Sequence, residues 1–235
     1  MKARLALVAV VMLAAGAAAG FLAVPRDDAP AVTAFDAPAP VPARSPANPL
    51  PTYAVSPDPD TPALTTDLPL VPVTFRSTAP RGDAYRGLLL RAPMPRDPQW
   101  VESQSQVARW TYTVPENPPN TYGIRVDLIY PRQAVLQTAI LQRISELQSA
   151  LADGNFLDLE VEERDSDSFT ASYIDSGGYR RVTMEQAFPG PDGALAYGLI
   201  AVYGREADRA GMRDLLDRIS ADVVTGPDAQ APAAG

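Results

Sequence analysis

Apolar residues recur with a period of two in several short stretches of this chain and with a helical period in two longer ones. Trp110-Thr111-Tyr112-Thr113-Val114 alternates, which predicts a strand with one face in the core. Gly87 to Arg91 is a short apolar run, ended by Pro93 and Pro95. Past a polar loop at 115–120, Tyr122 to Tyr130 reads as a further strand closed by Pro131. Leu136, Ile140, Ile144, Leu147 and Leu151 then fall on one stripe of an amphipathic helix, which Asp153-Gly154 stops. Phe156 to Val161 alternates again, with Leu157, Leu159 and Val161 predicted inward and Asp158, Glu160 and Glu162 outward. Phe169 to Ile174 and Tyr179 to Phe188 flank Asp175-Ser176-Gly177-Gly178, a hairpin turn sequence. One more strand runs from Ala194 to Tyr203. A closing helix over about 207–223 carries Met212, Leu215, Leu216, Ile219 and Val223 on one side. The pattern predicts an α+β domain: an antiparallel meander packed with two amphipathic helices.

The N-terminal third is patterned differently. Leu5 to Val24 contains no charge and follows Lys2 and Arg4. As a helix it would span about 30 Å, the thickness of a hydrocarbon core, with the positive charges left inside the cell. Two readings of residues 1–24 stand side by side. A signal peptide would be cut at Ala17-Ala18-Ala19, whereas a signal anchor would keep the whole apolar run in the membrane. Residues 25–72 are low in large apolar side chains and rich in proline. Of the chain's 25 prolines, 14 fall between Pro25 and Pro80. Such a segment cannot offset the entropy of folding, and is expected to be a disordered Pro/Ala-rich spacer. The α+β domain is then expected over 73–225, with a disordered tail at 226–235.

Composition adds what the pattern leaves open. Residues 26–235 carry 18 basic and 28 acidic groups, a net of −10 that is repelled by nucleic-acid backbones. The single lysine against 19 arginines, with abundant Ala, Pro, Asp and Val, suggests a GC-rich actinobacterial genome. The chain has no histidine and no cysteine. That excludes Ser-His-Asp and Cys-His nucleophile systems, the usual zinc sites, and lipidation at an N-terminal cysteine. No glycine-rich phosphate loop follows a strand. No cofactor and no metal are expected.

The element order, the Pro-rich preamble, Ala92-Pro93-Met94-Pro95 followed by Trp100, and the hairpin from Tyr173 to Arg181 resemble the LpqN family of mycobacterial proline-rich antigens and lipoproteins. The final helix fits as well. Related type VII secretion-associated proteins share a similar core. The resemblance covers about residues 85–225 and implies a PsbP-like fold and a cell-envelope protein without enzymatic activity. It brings no catalytic motif.

Residue chemistry leaves three function classes. The first is an extracytoplasmic binding or interaction module, anchored in the membrane through residues 5–24 or secreted into the envelope. It would take an envelope protein or a lipid or glycan ligand, and no nucleic acid. Its candidate binding residues are Trp100, Trp110, Tyr112, Tyr130, Tyr179, Tyr197 and Tyr203, aromatics with polar tips on or near the strands. The bland alternative for each is a place in the core. If the helices do not cover the sheet, its open face is where a ligand sits. The second class is an accessory component of an envelope machine. The third is a carboxylate-based hydrolase, or a calcium site, built from Glu160, Glu162, Glu163, Asp165 and Asp167. Against it stands the plain reading of that cluster as the polar face of a strand and the turn beyond it.

Overall fold

The computed structural model describes residues 53–80, 87–95, 100–115, 121–129 and 134–226. The hydrophobic leader, the spacer up to residue 52, Tyr130 and the tail after residue 226 lie outside the described residues. The fold is α+β. Seven strands form one antiparallel sheet in the order β3 (Val101–Gln106), β4 (Arg109–Thr113), β5 (Tyr122–Leu128), β9 (Ala196–Arg205), β8 (Arg180–Pro189), β7 (Ser168–Ile174) and β6 (Leu157–Arg164). A smaller sheet joins β1 (Leu70–Arg76), β2 (Leu89–Pro95) and the two-residue β10 (Val224–Thr225). Helix α1 spans Leu136–Ala152, and α2 spans Arg209–Ser220 after a short 3-10 turn at Glu206–Asp208.

Strand register divides the large sheet into two unlike faces. Ile124, Val126, Ile200, Val202, Val182 and Met184 point to the first and are buried with Met212, Leu215 and Ile219 of α2. Phe75, Leu90, Ala92 and Met94 of the small sheet close the same core. The second face carries α1 on one portion only. There Ile140, Ile144 and Leu147 pack on Phe169, Ala171 and Ala187 of β7 and β8. The two helices therefore lie on opposite faces of one sheet.

Several elements depart from the pattern. Strand β3 (VESQSQ) has every side chain exposed, as an edge strand can, and so carries no alternation to read. Pro93 does not end β2 but lies within it, and Pro95 is its last residue. Pro93 stands opposite Pro72 of β1, a pair in which neither ring could donate a ladder bond, and β10 reaches only Leu90 and Arg91. Leu157 and Val161, predicted inward, are exposed on the irregularly paired edge strand β6, where Leu159 alone of the three reaches the α1 core.

The chain also joins the domain earlier than its composition predicts. Of the residues expected in the disordered spacer, 53–69 form a strap along the domain and 70–72 open β1. Arg205 donates to the carbonyls of Pro59, Thr61 and Pro62, and Arg218 to those of Thr66 and Leu68. The Leu64 amide donates to Asp208, which Arg205 also holds, and the Leu64 side chain is buried. These arginines supply the donors that a proline-rich segment lacks. Gly211 on α2 lets the strap lie this close, since a Cβ there would fall 2.4 Å from the Leu64 oxygen.

Candidate functional site

Beyond the edge of α1, no helix among the described residues covers the second face of the sheet. Register lines up its residues in rows. Thr111 on β4 lies opposite Arg125 on β5, Arg125 opposite Ala201 on β9, and Ala201 opposite Glu185 on β8. In the next row Gly123 lies opposite Tyr203, and Tyr203 opposite Thr183. Beyond it Arg181 faces Tyr173 on β7. A depression of about 240 Å³ is lined by Thr111, Arg125, Tyr173, Asp175, Arg181 and Tyr203. Gly123 gives the Tyr203 side chain room to lie across β5, because a Cβ there would meet the phenol oxygen at 2.6 Å. The Tyr173 ring is steadied by Phe156, with ring centres 4.8 Å apart.

A balanced run of charge separates this depression from a second one, also of about 240 Å³, under the lip of α1. Glu185, 1% exposed, accepts from Arg125 at 3.0 Å, from Arg143 of α1 at 2.9 Å and from the Thr183 hydroxyl at 3.2 Å. Arg125 also donates to Asp127 at 2.8 Å, and Asp127 pairs with Arg109. Arg143 reaches on to Glu146 at 2.9 Å. Three guanidiniums and three carboxylates thus fix one another in place, with no net charge. Burial lowers Arg143, but the Glu185 and Glu146 carboxylates beside it together raise it further than burial lowers it. Burial raises the Tyr173 and Tyr203 phenols above the ordinary tyrosine range, so both offer neutral hydroxyls at neutral pH.

The remaining carboxylate of the depression is engaged too. Asp175 accepts from the Gly177 and Tyr179 amides, closing the β7–β8 hairpin, and lies beside Arg181. The trough therefore offers guanidinium and hydroxyl donors, two aromatic walls and carboxylates already bound.

The aromatic candidates separate sharply. Trp110 and Tyr112 point to the sealed face and pack on Phe75, with Tyr112 donating to Glu102 at 2.6 Å. Tyr197 is buried and accepts from the Leu89 amide at 3.0 Å. Trp100 is half-buried against Tyr122 at the margin of the same core. Tyr179 covers Arg181 at the hairpin. Of the seven, Tyr203 is the one that lines the open trough, and Tyr130 lies outside the described residues. Thr111, Arg125, Tyr173 and Arg181 were not singled out by residue type. The signal for Arg125 was present in Ile124-Arg125-Val126-Asp127-Leu128, whose alternation puts two charges on one face of a strand.

The acidic cluster faces outward. Glu160, Glu162 and Glu163 are exposed on β6, and Asp165 and Asp167 lie in the turn to β7. Arg209 grips Glu162 through two hydrogen bonds and holds its carboxyl below the usual glutamate range. Arg213 of α2 pairs with Glu163. Among the described residues no group of three or more acidic side chains is gathered to hold a metal ion, and no helix is long and apolar enough to cross a membrane.

No protein-family model matches this chain, and neither does any curated protein. Among solved structures, a match is found to LpqN, described as involved in cell envelope biogenesis of Mycobacterium tuberculosis. The relationship is a distant structural one. It covers 67% of this chain and 92% of LpqN, at 15% sequence identity and a TM-score of 0.38. That level of likeness does not place the chain in the LpqN family.

Proposed function

We propose that this protein is an extracytoplasmic binding module of the cell envelope, with the open face of its large sheet as the ligand surface. The carrying observation is the asymmetry of that sheet. One face is sealed by α2, β1 and β2, while the other, among the described residues, carries no helix beyond α1 and is furnished with Thr111, Arg125, Tyr173 and Tyr203. An antiparallel sheet can leave one face to water, but buried ion pairs on such a face carry a desolvation cost that apolar residues avoid. The depression is smaller than the roughly 300–1,000 Å³ of a site that engulfs a drug-sized ligand. It suits the polar end of an envelope lipid or glycan, with the rest of the molecule lying outside.

Export rests on the leader sequence, and a PsbP-like assignment on the resemblance of motifs. The reading as a binder rather than a catalyst rests on the carboxylates, all of which near the trough are held by guanidiniums or backbone amides. A thermal-shift series on the full chain tests the binding face, using monoacyl lipids, oligosaccharides and short peptides. Thr111→Trp fills the depression, so a stabilising lipid or glycan should lose its shift in that variant. A ligand that shifts wild type and Thr111→Trp equally would place binding elsewhere.

A further inference from the structure

We propose that Arg181 is a carboxylate-binding subsite at one end of the trough, and that Asp58 on the strap fills it in cis until a ligand carboxylate takes its place. This deepens the reading of the open face and rests on it. Arg181 is fixed in advance: its side chain is 4% exposed, and its guanidinium lies 4.9 Å from the centre of the Tyr179 ring. Nη1 donates to Asp58 and to the Arg180 carbonyl. Nε makes no hydrogen bond, although Asp175 Oδ2 lies 3.2 Å away. Asp175 thus faces the Nε edge, and the strap carboxylate holds the guanidinium through Nη1.

The strap is fastened unevenly. From Pro59 onward it is held by Arg205, Asp208, Arg218 and the burial of Leu64. Ahead of Pro59, the attachments among the described residues are the Ser56 amide on the Gly178 carbonyl at 2.8 Å and Asp58 on Arg181. Those residues can leave while the rest stays docked. Prolines at 57 and 59 stiffen the backbone on both sides of Asp58, which limits how its carboxylate can align with the guanidinium. A free carboxylate has no such restraint and can span Nη1 and Nη2, the end of the guanidinium that Asp58 meets through Nη1. The exchange of one carboxylate for another also conserves charge. A doubly charged phosphate would add repulsion from Asp175 at close range.

The test follows the Arg181 Nε–H signal by NMR in the full chain held in detergent, with Arg181→Lys assigning the peak. Acetate is the probe, acetamide its neutral counterpart and inorganic phosphate the competing anion. Asp58→Asn and Asp58→Ala both leave the strap anchored from Pro59 on. Either should bind acetate at least about tenfold more tightly than wild type, the factor expected if the strap occupies the subsite about nine-tenths of the time. Acetamide should leave the signal unmoved, and saturating acetate on wild type should release the Ser56 amide. Equal acetate affinity in wild type and both variants overturns the proposal, as does no acetate binding to the variants. Phosphate binding as tight as acetate overturns the carboxylate assignment. Failure of the open-face reading shows separately, as an envelope ligand insensitive to Thr111→Trp whatever acetate does at Arg181.

Discussion

Glu185 is the residue on which the second face turns. It is buried between Arg125 and Arg143, and both guanidiniums are themselves largely shielded from water. A buried pair adds little over apolar packing, but removing one partner leaves the other charge uncompensated. Glu185→Gln keeps the shape and removes the charge. We expect it to lower unfolding stability by on the order of 2–4 kcal/mol, read as a lower urea midpoint at unchanged slope. A loss under about 0.5 kcal/mol, the range of an ordinary surface substitution, would mean that the network is merely decorative. The residue scale is also where type-based reading of the sequence fell short. Tyrosine and tryptophan favour ligand surfaces, yet Trp110, Tyr112 and Tyr197 lie in the core, as large aromatics ordinarily do. Arg125 is not legible by type, because an arginine in a strand reads as a solvated side chain until its face is known.

Among the elements, the strap shows how a proline-rich segment becomes ordered without a core of its own. It borrows donors from Arg205 and Arg218, and its one large buried side chain is Leu64. Gly211→Ala puts a methyl group 2.4 Å from the Leu64 carbonyl oxygen, against backbone that cannot yield cheaply. The substitution should cost about 1–3 kcal/mol and make residues 53–68 the first site of proteolytic cutting. An unchanged cleavage pattern would show that the strap is not held there. Helix α1 was legible because its stripe repeats at 3 and 4 residues, and Gly154 takes the left-handed conformation that closes it, with φ +74°. The β7–β8 hairpin was legible from Asp175 and its glycines, whose amide bonds are the ones observed. Strand β3 was not, since an exposed edge imposes no period on its side chains. Nor was the strap, because its order comes from arginines some 150 positions away in the chain.

For the whole molecule, the central feature is one sheet with a sealed face and a half-open one. The antiparallel meander and its two helices could be read from periodicity, but not the placing of the helices on opposite sides. That depends on which strand face each helix meets, and single-sequence patterning gives the period without the partner. The most direct measurement is native mass spectrometry of the full protein recovered from the envelope of cells that make it, wild type beside Thr111→Trp. Wild type should carry a lipid or glycan adduct that the filled variant lacks, with both folded by circular dichroism. A wild-type protein recovered bare, or an adduct carried equally by both, would contradict the assignment of the open face as the ligand surface.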